Sequence, residues 1–141
     1  MDIEESLLKL YYDFIKENSI FSEKLLIVPS TPQSFVSFPT IVFKESNNSS
    51  YRGGSTLNRQ EYVDRLTYQV EIYTKDVVID NTKYLSNQVV NELKNLTHIF
   101  FNDIGFNRLS SQKGEYIDLT INRHICIFEG KVNNWNGKTI I

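Results

Sequence analysis

Between Arg65 and Leu96 the spacing of the apolar residues changes period. Leu66, Tyr68, Val70 and Ile72 alternate with Thr67, Gln69, Glu71 and Tyr73, which is the two-residue period of a strand. From Asp80 onward Leu85, Val89, Leu93 and Leu96 recur three or four apart, flanked by Val90, Ile99 and Phe100, which is the stripe of an amphipathic helix. The spacing therefore predicts a strand over Tyr62 to Thr74 running into a helix capped at Asp80 or Asn81. Junctions of this kind often hold chemistry in α/β enzymes. This one has no glycine-rich cradle, no nucleophile elbow and no metal-spaced histidines.

The rest of the chain reads in the same way. Ile3, Leu7, Leu10, Tyr11 and Phe14 predict a first helix over Asp2 to Asn18. Leu25 to Val28 reads as a short strand, and Pro29, Pro32 and Pro39 predict an irregular connection after it. Thr40 to Glu45 reads as a strand. Residues 46–60, rich in Ser, Asn and Gly, read as a long loop between antiparallel strands. Gly105 marks the exit from the second helix. A closing hairpin is expected to turn near Lys113-Gly114, with its second strand from about Glu115 to Phe128 and an extended tail over 131–141. The order helix-strand-strand-helix-strand-strand predicts an α+β fold. Two helices pack on a mainly antiparallel sheet of about four strands, in a single domain over residues 1–141.

Composition narrows the function classes. The net charge of −2 argues against affinity built on phosphate neutralisation. Cys126 is the single cysteine, so no internal disulfide forms. The opening residues are acidic, unlike a secretory leader, and no apolar run reaches the roughly 20 residues that span a bilayer. Gly137 to Thr139 ends like a phosphate-binding loop, but Val132 stands where the motif needs glycine. His124 and Cys126 share a strand face, but His98 is the only other histidine, which leaves a structural metal site short of ligands. No catalytic, cofactor or metal site is expected. A hydrolase triad assembled only in space would escape this reading.

Two features of the last strand ask for a partner. Ile117, Leu119, Ile121, Ile125 and Ile127 alternate onto one face, and Arg123 falls in the same row. Either a strand end or bulge lifts Arg123 into solvent, or it pairs with an acidic group on a neighbouring subunit. Ile125 to Phe128 is apolar on both faces and needs cover on both, from the first helix or from another subunit.

The element order, with Tyr68, Val70, Ile72 and Tyr73 before a helix and Arg123, Ile125, Ile127 and Phe128 in a closing hairpin, resembles the tail-terminator and head–tail-joining proteins of tailed phages and phage-like particles. The likeness covers roughly residues 39–131. It implies a non-enzymatic virion protein, assembled in the host cytoplasm. Its copies would close into a ring, commonly a hexamer. The ring would meet the tail-tube protein on one side and the head or neck connector on the other. DNA would pass through its channel without specific binding. Head-completion, neck or baseplate proteins of the same particle, and a small cytoplasmic protein-binding adaptor, are the alternatives. Candidate contact residues are Tyr51, Arg52, Gly53, Gly54 and Arg59 in and beside the polar loop, with Arg123 and Trp135.

Overall fold

The computed structural model describes residues 3–51, 62–115, 118, 120–135 and 138–140. Helix α1 spans Ile3–Asn18 and strand β1 Leu26–Val28. Strands β2 (Thr40–Tyr51) and β3 (Tyr62–Thr74) follow, then the short β4 (Val77–Ile79) and β5 (Thr82–Tyr84). Helix α2 spans Ser86–Asp103, and β6 (Asn107–Gly114), β7 (Asn122–Trp135) and β8 (Lys138–Ile140) complete the order. The fold is α+β, as the residue spacing predicts. The main sheet runs β1-β2-β3-β7-β6, with β8 paired to β7. All its pairings are antiparallel except β1 with β2, and with six strands the sheet is wider than the four expected.

Both helices pack on one sheet face. Leu7, Tyr11 and Ile15 of α1 and Val89, Leu93, Phe100 and Phe101 of α2 join Ile41, Phe43, Leu66, Tyr68, Val70, Ile72, Cys126 and Phe128 in one buried cluster. Its centre is aromatic. Phe101 stacks on Phe128 with ring centroids 4.2 Å apart and on Phe43 at 5.9 Å, and Tyr11 stacks on Phe43 at 4.8 Å. Stacking and edge-on contacts of this kind add to the area that the rings bury. Tyr11 keeps its polar end satisfied by a 2.8 Å hydrogen bond with Thr97 Oγ1, whose hydroxyl also donates to Leu93 O at 2.7 Å. Burial pushes the Tyr11 phenol well above its ordinary pKa. Gly130 lets Phe106 lie against the sheet, because a Cβ there would meet the ring at 2.5 Å.

Six expectations need correction. The β3 strand does not run straight into α2, because the β4–β5 hairpin stands between them. Asp80 and Asn81 are its two turn residues, with φ of 49° and 65°, and cap nothing. Both residue types tolerate left-handed backbone as readily as they cap helices, and a two-residue hairpin turn with two positive φ values needs that tolerance. The start of α2 is satisfied otherwise: Leu85 N donates to Gln88 Oε1 at 2.8 Å and Ser86 N to Asp76 Oδ1 at 2.8 Å. Leu85, expected in the buried stripe, is 52% exposed, and the buried face instead includes Thr97 and Phe101.

The polar stretch read as loop from residue 46 is strand through Tyr51. It pairs from Asn47↔Thr67 to Tyr51↔Val63 beyond a bulge after Glu45. Pairing with a neighbour overrides the weak strand preference of Ser and Asn. The closing hairpin has a longer connection than expected. Asp118 holds a local turn, accepting from Thr120 N at 2.9 Å, and β7 starts only at Asn122. Residues 131–135 and 138–140, read as a tail, are strand. Gly105 does mark the helix exit, at φ 82°.

Candidate interface on the uncovered sheet face

The opposite sheet face carries no helix among the described residues. Register sets its rows: Lys44, Gln69 and Ile127 lie side by side, then Val42, Glu71 and Ile125, then Thr40, Tyr73 and Arg123. At one end Val42, Tyr73 and Ile121 form a small buried cluster under Val28, Phe35 and Phe38, which belong to β1 and the proline-rich segment after it. Elsewhere Lys44, Gln69, Ile125 and Ile127 are half-buried.

Glu71 is the centre of this face, with its side chain 1% exposed. Arg123 Nε donates to its Oε1 at 2.9 Å, Nη2 approaches the same oxygen, and the Tyr73 hydroxyl donates to it at 3.2 Å. Lys44 Nζ lies 3.1 Å from Oε2, where it acts as a point charge without good hydrogen-bond alignment. Burial alone would raise the Glu71 carboxyl, but Arg123 and Lys44 outweigh it and hold the group below the ordinary carboxylate range. Burial and the Glu71 charge push the Tyr73 phenol up. The guanidinium also lies 5.8 Å from the Tyr73 ring centroid, and its Nη1 donates to Glu115 O at 3.3 Å. Two cations share this one carboxylate.

Arg123 therefore does have an ionic partner, but within its own chain, 52 residues earlier. It is thus not lifted free into solvent. The cover for Ile125 to Phe128 is likewise one-sided. Cys126 and Phe128 face α2, not α1, through His98 and Phe101, while Ile125 and Ile127 face outward. Of the other candidate contact residues, Tyr51 ends β2 and Trp135 ends β7, where it pairs with Lys138. Arg52, Gly53, Gly54 and Arg59 lie outside the described residues, as do Ile117 and Leu119. The described backbone brings neither Tyr51 nor Trp135 to Arg123. Glu71 was missed because, on its own strand, it sits in an unexceptional polar row. Its one sequence signal is that Lys44, Glu71 and Arg123 are charges set in rows with Val42, Ile125 and Ile127.

A second polar group lies under α2. His98 Nε2 is 3.8 Å from Cys126 Sγ, Ser111 Oγ is 3.5 Å from the same sulfur, and Ser111 Oγ is 2.8 Å from His124 Nε2. Burial raises the Cys126 thiol and lowers both imidazoles. Arg108 and Lys94 lower His98 further, and Lys94 also lowers His124. A thiol held protonated is a poor nucleophile. Among the described residues no group of three or more His, Cys, Asp or Glu side chains is arranged to hold a metal ion. No helix of the described chain is long and apolar enough to cross a membrane.

No protein-family model matches this chain, and no curated protein matches it.

Proposed function

We propose that this chain is a structural protein of a tailed-phage or phage-like particle, a tail terminator whose copies close into a ring between the tail tube and the head connector. The observation that carries this reading is the open sheet face. Ile125 and Ile127 stand half-buried beside the fixed Lys44–Glu71–Arg123 cluster, on a face that the described residues cover only at one end. Protein contacts commonly combine apolar and charged side chains in this way. A contact that repeats head to tail closes into a ring when its rotation allows. The long β2, β3 and β7, of 12, 13 and 14 residues against a common strand length of about 5–6, give such a ring a stiff wall. The pattern likeness to the terminator class supports the same position in the particle. The reading gives the protein no reaction to catalyse.

Light scattering across a concentration series, with electron micrographs of the purified protein, tests it. The wild type is expected to form closed rings. The double variant Ile125→Asp/Ile127→Asp should stay monomeric while keeping its far-ultraviolet circular dichroism. A wild type that remains a monomer at high concentration and ignores purified tail tubes overturns the reading.

A further inference from the structure

Strand β6 is the last strand of the sheet, and among the described residues nothing pairs with its outer edge. Proteins usually guard such an edge, because its free N–H and C=O groups accept another strand. Here the edge borders a valley. One wall is β6 itself. A register shift between Arg108 and Ser110 puts Arg108 opposite Phe128, Ser111 opposite Cys126 and Lys113 opposite His124, so all three point to the α2 side. The floor is the β7 row Asn122, His124, Cys126 and Phe128. The other wall is the α2 row Asn87, Asn91, Lys94, His98 and Asn102, spaced three or four apart. Contacts fix that wall in place: Asn122 Nδ2 donates to Asn87 Oδ1 at 3.4 Å, and the His98 ring stands edge-on to Phe128 at 5.6 Å.

None of these rows holds an Asp or Glu, in a chain with 17 acidic and 15 basic residues. Both histidines are held neutral near pH 7 by burial, so Lys94, Arg108 and Lys113 supply the fixed charge. The valley opens at one end into a cleft of about 430 Å³ lined by His98, Ile99, Asn102, Phe106, Arg108 and Phe128.

The geometry points to a binding site for an extended acidic segment of a partner protein, which adds to β6 as a further strand and seats one large apolar side chain in the cleft. The open edge satisfies a peptide backbone, which is how added strands gain affinity. Alternate residues of a strand lie about 6.6–6.8 Å apart on one face, a spacing that carries carboxylates along Arg108 and Lys113. A nucleic-acid backbone fits less well. It offers nothing to the strand edge, and three fixed cations in an acidic protein neutralise few phosphates. The site is separate from the open sheet face and does not depend on ring formation.

The probe is a fluorescent library of eight-residue peptides in which Asp or Glu alternates with Val, Leu or Phe, set against the same library with Lys for the acids. The acidic set should bind and the basic set should not. Arg108→Glu/Lys113→Glu should weaken binding by about tenfold or more. Arg108→Gln/Lys113→Gln should fall between, and Lys9→Glu, exposed on α1, should change nothing. Hydrogen exchange should slow at the β6 amides when peptide binds. The inference is overturned by any of four results: no acidic peptide binds, binding survives charge reversal, a twelve-nucleotide oligothymidine displaces the peptide at equal charge, or the β6 amides are already protected in a concentration-dependent way without peptide. The last result would mean that a second copy occupies the edge.

Discussion

On the helix side of the sheet, Tyr11, Phe43, Tyr68, Phe101 and Phe128 form a continuous set of ring contacts, all of them buried. On the other side Val42, Tyr73 and Ile121 are buried at one end, and Glu71 is held by side chains that reach solvent. The same strands build both faces, residue by residue in alternation. The difference lies in what each face exchanges for water. The first loses water to its own helices. The second keeps a carboxylate buried by ringing it with cations, an arrangement that costs desolvation and offsets it only through good geometry. A face built that way has its charges fixed in place before anything docks on it.

The contrast breaks most visibly at Phe101. Phe101→Ala should destabilise the fold by about 3–5 kcal/mol in urea unfolding, because it empties the middle of the ring stack. A smaller loss would mean that the helix side is less tightly closed than its packing implies.

Next comes Arg123→Ala, which leaves Glu71 buried with Lys44 alone. Arg123 is 28% exposed, so the expected loss is discounted to about 1–2 kcal/mol. Lys44→Ala should cost less, because that contact is a point charge at 38% exposure. The pH dependence has a definite sign. A carboxyl held below its ordinary value stabilises the fold above about pH 4.5, and that contribution is lost as the pH falls through its lowered value in the fold. Wild type and Arg123→Ala should therefore differ at neutral pH and converge in acid; a constant difference would remove Glu71 from the explanation. Smallest of all, Ile127→Thr should shift the unfolding free energy by less than about 1 kcal/mol, since its side chain is only half-buried in the isolated chain.

Much of this architecture is legible in the order of the residues. The alternation at Leu66 to Tyr73 and the three-to-four spacing at Val89, Leu93 and Leu96 specify a strand and a helix, because each period follows from backbone geometry alone. What lies between them is not legible in the same way. Asp80-Asn81 satisfies the rule for a cap and the rule for a hairpin turn equally well, and only the partner strands decide between them. The pairing of Glu71 with Arg123 depends on β3 and β7 meeting with Tyr73 opposite Arg123, a register that neither strand states by itself. The valley beside β6 is hidden for the same reason. Lys94 and Arg108 are ordinary surface charges until the chain returns His124 and Cys126 beneath them.

The position of β7 also sets a timetable. It lies between β3 and β6 and supplies Cys126 and Phe128 to the core, yet it is made after everything else it touches except β8. While the ribosome is still building residues before Asn122, β3 has only β2 beside it, and Val70 and Ile72 lack half their cover. Contacts between residues some 50 apart or more must then form last, which makes this a slow-closing topology. A nascent chain stalled there would present a 13-residue strand with one bare flank, so chaperone demand should peak just before the final segment emerges.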